Sequence, residues 1–243
     1  MILRTVDAGT CKEYSWISDI VGFQDWDDPV EVAMTQIKAR NWKPRRVGID
    51  KNSYSLTVQR YSSWLKALPK TEFSDISTFI AERRAIKSPR EIEYLRKASD
   101  IADKTLQVIL ERIKPGHSTR DCVAISAESI ISLGGDAGAL GPVTRSIDDT
   151  RMHSLVDDVP LKSGDMLHVE LIPQYFGYSA RLMRPVCLGE PTPEMLDLAA
   201  QITAIQDAQL AAIKPGIQAN EVDSIVREAM VSSGLKASYA NIS

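Results

Sequence analysis

Cysteine is scarce. The three residues Cys11, Cys122 and Cys187 are odd in number, scattered and without a CxxC pair, so they read as free thiols in a reducing, cytoplasmic setting and not as a disulfide framework. Excess charge of either sign is missing too: 29 Lys and Arg against 32 Asp and Glu leave a net charge of -3. That balance excludes a strongly basic nucleic-acid binder. No apolar run approaches the roughly 18 residues a membrane span requires. The opening residues, Met1 to Asp7, lack the apolar core of a signal peptide. What remains is an ordinary globular balance, 44% hydrophobic and 25% charged over 243 residues. A chain of this length predicts one or two domains, with roughly 70% of the unfolded surface buried if it is compact.

The sequence repeats itself. Ile113-Lys114-Pro115-Gly116 recurs as Ile213-Lys214-Pro215-Gly216, and at the same offset of 100 residues Ile125 matches Ile225, Glu128 matches Glu228 and Gly134 matches Gly234. Each copy reads as a long helix, a Pro-Gly stop and a shorter helix. In the first copy Ser88-Pro89-Arg90-Glu91 forms a capping-box pattern. Ile92, Leu95, Ser99, Ala102, Leu106, Ile109 and Ile113 then step by three and four, predicting the inward face. Ser118-Thr119-Arg120-Asp121 is a second such box, opening a helix with Cys122, Ile125, Ile130 and Leu133 inward, and Gly134-Gly135 ends it. In the second copy Thr192-Pro193 opens a helix with Met195, Leu198, Ile202 and Ile205 inward, and Asn220 is expected to cap the shorter one. After the first copy, Met166 to Ile172 reads as a strand and Tyr175 to Leu188 as its return. Only nine residues follow Gly234, so the second copy has no hairpin of its own, and the chain is expected to be a shortened one.

Residues 1–84 differ in pattern. Strands are expected at Met1–Val6, Arg46–Asp50 and Glu72–Ser74, and helices at Val30–Ala39 and Leu56–Leu68. Their alternation predicts an α/β unit. The four tryptophans, Trp16, Trp26, Trp42 and Trp64, all lie here and read as core or interface, since no basic stripe accompanies them to make a base-stacking platform.

The segment Ala85-Ile86-Lys87-Ser88-Pro89-Arg90-Glu91-Ile92, followed by Leu95-Arg96-Lys97-Ala98, resembles the linker and first catalytic helix of the creatinase/prolidase family. Ser163-Gly164-Asp165, Glu170, Gly177-Tyr178, Arg184 and Gly189 resemble that family's central hairpin. The resemblance implies an α/β (α+β) pita-bread fold: residues 1–84 as the latter part of the amino-terminal domain, and residues 85–243 as the first half of the catalytic domain plus the helices of the second. It also implies a homodimer. The family's peptidases hold two metal ions with two aspartates of this hairpin and with a histidine and two glutamates from the second half. Here Glu170 stands at the first aspartate position and Arg181 at the second. A carboxylate can ligate a metal, but a guanidinium has no lone pair and brings a positive charge. Two-metal chemistry needs both clamps. The expectation is therefore no metal and no cofactor.

Creatinase-like members work without metal, using a histidine ten residues before the serine of the hairpin approach. His153 lies ten residues before Ser163. Histidine suits proton transfer because its ordinary pKa lies near neutrality; the bland alternative is a solvated loop residue. Glu170 sits in an apolar strand, where a carboxylate is costly unless paired or functional. It reads as general base or nucleophile, or else as a buried partner for an arginine. Arg181 reads as the group that neutralises Glu170 or grips a substrate carboxylate. Arg184 reads as structural, His168 as packing on Glu170's face, and His117 as exposed after its Pro-Gly turn.

Three functions follow. The first is a metal-independent hydrolase of a C–N bond in a small carboxylated amidine, guanidino or cyclic compound, with His153 and Glu170 catalytic and Arg181 binding substrate. The second is an Xaa-Pro dipeptidase or aminopeptidase, which Arg181 opposes. The third is an inactive relative serving as a binding module. The expected partner is a small-molecule substrate, with no nucleic acid and no membrane.

Overall fold

The computed structural model describes residues 1–137, 140–146 and 153–237. The chain divides into two compact units, Met1–Lys87 and Ser88–Ser243.

The first unit alternates strand and helix. Strands β1 (Ile2–Arg4) and β2 (Val21–Phe23) pair in parallel across helix α1 (Ala8–Tyr14). After helix α2 (Pro29–Ala39), strands β3 (Arg46–Ile49) and β4 (Glu72–Asp75) pair in parallel around helix α3 (Val58–Ala67), and helix α4 (Ser77–Ala85) closes the unit. The sequence patterns miss α1, β2 and α4. α3 starts where Thr57 accepts the Arg60 backbone N–H at 3.1 Å. Of the four tryptophans expected in core or interface, Trp16, Trp26 and Trp42 are exposed and so form no core, while Trp42 and Trp64 both line an apolar cavity of about 430 Å³.

The second unit is built from two helical pairs and a sheet. Helix α5 (Pro89–Arg112) starts as the sequence requires: Ser88 N–H donates to Glu91 at 2.6 Å, and Glu91 N–H donates to Ser88 Oγ at 3.3 Å. Its buried face is Ala98, Ile101, Ala102, Thr105 and Ile109, rotated from the expected stripe, because Ile92 and Ser99 are exposed. The small side chains of Ala98 and Ala102 allow close approach, so volume and not apolarity alone sets the contact line. Helix α6 (Thr119–Ser132) opens on the second capping box and packs on α5. Cys122, Ile125 and Ile130 point inward as expected, whereas Leu133, past the last helical turn, stays largely exposed.

Three strands form the sheet: β5 (Val143–Arg145), β6 (Met166–Leu171) and β9 (Leu182–Cys187), antiparallel, with β6 central. The return is interrupted. Strands β7 (Gln174–Tyr175) and β8 (Tyr178–Ser179) make a small hairpin at the tip, turned by Phe176 and Gly177 at φ of 48° and 76°. Such a turn explains why one long return strand does not form. Leu167, Val169 and Leu171 of β6 join Ile109, Cys122, Ile125, Val143 and Val186 in the core.

Helices α7 (Pro193–Ala212) and α8 (Ala219–Ser232) form the second pair. Gln218, not Asn220, caps α8, with its N–H on Glu221 at 3.1 Å. Neither helix has a fully buried residue, and the expected inward residues Leu198 and Ile202 are exposed. Among the described residues no helix is long and apolar enough to cross a membrane.

Candidate active site

β6 runs through the middle of its sheet, so its side chains alternate between the helical core and the opposite face. Leu167, Val169 and Leu171 take the core. His168 and Glu170 take the other face, where the register sets Thr144 and Pro185 beside His168 and Met183 beside Glu170. Glu170 is nevertheless 2% exposed. The reason is the chain entering β5. Glu170 N–H donates to Pro142 O at 3.0 Å, and Gly141 lies so close that a Cβ there would stand 2.2 Å from the Glu170 carbonyl oxygen and 2.9 Å from its Cγ. Only glycine permits that wall.

Arg181 lies between β8 and β9, outside any strand, and its side chain returns to Glu170. Nε stands 2.8 Å from Oε1, with Arg181 57% exposed. His153 Nε2 lies 3.9 Å from Oε2, and His153 is 70% exposed. His153 and Arg181, both singled out in the sequence, therefore converge on the Glu170 carboxylate. The loop carrying His153 is moored farther along: Asp157 N–H donates to Thr119 Oγ1 at 2.8 Å, Leu161 N–H to His117 O at 2.7 Å, and Arg120 pairs with Asp158 at 2.6 Å. Arg184, by contrast, turns away and donates to the Met183 carbonyl.

The other two histidines are both partly buried. His117 is half-buried and accepts the Lys114 N–H on Nδ1 at 3.1 Å, closing the Pro-Gly turn. His168 packs on Glu170's face as expected. Its Nε2 is also 3.9 Å from Glu170 Oε2, its side chain is 11% exposed, and neither atom has a hydrogen-bond partner among the described residues. Burial is the main cause that pushes the His168 imidazole below its ordinary value; Glu170 opposes this, while His153 and Arg181 add to it. The period of two placed His168 on this face, but the sequence held no sign of what would cover it.

The resemblance to the creatinase/prolidase family raises the question of metal. Arg181 does not fit a pair of ions beside Glu170: its guanidinium offers no lone pair and sets a positive charge 2.8 Å from that carboxylate.

Comparison with known proteins decides the family. Residues 93–242 match the model of metallopeptidase family M24, and residues 1–86 match the creatinase/prolidase N-terminal domain. The chain belongs to family M24. Among M24 relatives, an Xaa-Pro dipeptidase of Lactobacillus delbrueckii subsp. lactis is 28% identical over 240 residues, covering 92% of this chain and 61% of its own length. The ectoine hydrolase of Halomonas elongata is 30% identical over 209 residues, covering 82% of this chain and 52% of its own. The solved X-Pro aminopeptidase of Thermotoga maritima superposes with a TM-score of 0.82 at 18% identity, over 96% of this chain and 65% of that one, which shows the fold alone. The M24 fold here is thus the pita-bread α/β architecture with its amino-terminal domain. The chain spans about 61% of the length of the first of these relatives.

Proposed function

We propose that the protein hydrolyses a C–N bond in a small carboxylated amidine, guanidino or cyclic compound, without a metal ion. The observation that carries this reading is the Arg181 guanidinium 2.8 Å from Glu170. A positive charge occupies the place where two-metal chemistry needs a second carboxylate. The charge needed in catalysis then comes from side chains. Glu170 acts as base or nucleophile at the carbon, His153 carries a proton to the departing nitrogen, and Arg181 orients Glu170 and meets the substrate's carboxylate. An exposed His153 beside a buried Glu170 divides the labour sensibly: the solvated group exchanges protons with water, while the shielded one faces the reacting carbon.

The relatives frame the alternatives. One is an ectoine hydrolase and another an Xaa-Pro dipeptidase. The guanidinium favours the first kind. The three free thiols suit a reducing compartment, and a homodimer is the assembly proposed.

A substrate panel tests the reading. Guanidino, amidine and cyclic carboxylates are assayed with a chelator present, beside Xaa-Pro dipeptides with added divalent metal. Turnover of a panel member in chelator is the expected result. Cleavage of Xaa-Pro dipeptides that requires the added metal would contradict it.

A further inference from the structure

Glu170 Oε2 and His168 Nε2 pose an unsolved pairing problem. Both are buried, both lack a hydrogen-bond partner among the described residues, and they stand 3.9 Å apart on the same face of the central strand. Burying a polar atom without a partner is costly, and a carboxylate oxygen more so. At 3.9 Å they are too far apart to bond each other. They are well placed to share one small polar atom, which can sit about 2.8 Å from each.

The donor inventory identifies that atom's chemistry. A carboxylate only accepts, so the shared group must donate to Oε2. A neutral imidazole carries one proton, and with that proton on Nε2 the shared group must also accept. A substrate amide N–H donates without accepting. A water does both and keeps a lone pair. The supports on either side are rigid. His168 is held in β6 between Thr144 and Pro185, and Glu170 is fixed by Pro142, Gly141 and Arg181. His153 is the exposed member and is left to serve the leaving group.

We propose that His168 and Glu170 together hold the hydrolytic water. This rests on the C–N hydrolase reading and settles Glu170 as general base. His168 Nε2–H donates to the water oxygen, and the water donates one proton to Oε2. As the water oxygen bonds to the substrate carbon, that proton passes to Glu170. The C–N bond breaks with its electron pair leaving on nitrogen, which takes a proton from His153. Net, one water is consumed; Glu170 gives its proton to solvent and His153 takes one back, so both side chains return to their starting states. His168 is then a catalytic residue, since it touches a reacting atom.

The chain has three histidines, His117, His153 and His168, so its imidazole ¹⁵N spectrum is assignable by single substitution. At pH 7.5 the full chain should show His168 as the neutral Nε2–H tautomer, and a high-resolution crystal structure should show one ordered water within hydrogen-bond distance of Nε2 and Oε2. A His168 proton on Nδ1, or no water shared by the two atoms, overturns the proposal. Kinetics supply the third readout. His168→Leu should lower kcat about 10²-fold with KM little changed, as loss of one preorganised donor does. His168→Gln, which keeps an N–H, should recover at least part of the loss. Equal losses in two folded variants overturn the proposal. If the tautomer and water are found but no panel compound is turned over, the water site stands and the C–N hydrolase reading fails.

Discussion

The buried hydroxyl of Thr105 shows how single residues carry testable energy. It lies in the contact face of α5, fully buried, and Oγ1 has no hydrogen-bond partner among the described residues. Thr105→Val keeps the shape and removes the unsatisfied oxygen. The variant should gain about 1 kcal/mol, because an unpaired buried polar group costs roughly that or more. Urea denaturation measures it; a loss of stability would show that the hydroxyl is satisfied in solution. Legibility at this scale follows locality. Glu170 was readable because a carboxylate within Met166–Leu171 has few harmless explanations. Arg181 was readable by position, yet its contact depends on a chain reversal through Phe176 and Gly177 that the strand pattern concealed. His168 was placed on the face it takes, as a packing residue. What stands beside it, Thr144 of β5 and Pro185 of β9, comes from elsewhere in the chain.

At the scale of elements, the helix starts were legible and the helix faces less so. Ser88 and Glu91 lie three apart and need nothing beyond their own turn, so the sequence shows the cap directly. Glu91 does more than close the box: its other oxygen accepts the Tyr178 hydroxyl at 2.8 Å, tying the start of α5 to the β7–β8 hairpin. Tyr94 stacks on Phe176 at 5.3 Å in the same place. Ser88→Ala removes the acceptor for the Glu91 N–H and should cost about 1 kcal/mol of unfolding free energy, with hydrogen exchange rising first in the opening turn of α5. Unchanged exchange there would mean that the Tyr178 tie alone fixes the helix. The α5 face was misjudged because the contact follows Ala98 and Ala102, whose small volume matters only against a neighbour the sequence does not name. α1 and α4 escaped notice for a related reason: neither has a fully buried residue or a capping side chain to mark its ends.

Across the whole molecule, the helix-strand order and the internal repeat made the architecture legible, and the match to family M24 agrees with it. The core of the second unit gathers α5, α6 and the sheet around Cys122, whose thiol is pushed up to about 12 by burial. The sign of the consequence is fixed. As pH rises past about 9 the unfolded thiol ionises, while the folded one keeps its proton until about 12, so this group's contribution to stability is intact below that window and is lost through it. Denaturation at pH 8 and pH 10 should therefore show a steeper alkaline loss in the parent than in Cys122→Ala. Equal slopes would mean that water reaches the core.

The central claim is that Glu170, flanked by Arg181 and His153, does the chemistry that metal ions would otherwise do. Glu170→Gln keeps the shape and removes the basicity. On a substrate that the protein turns over in chelator, kcat should fall on the order of 10²–10⁴, and His153→Ala should add much less to that variant than it costs alone, since groups acting in one step fail together. The measurement is kcat for the parent, the two single variants and the double, all in chelator. Near-parental turnover by Glu170→Gln would contradict the account and leave Glu170 as the structural partner of Arg181.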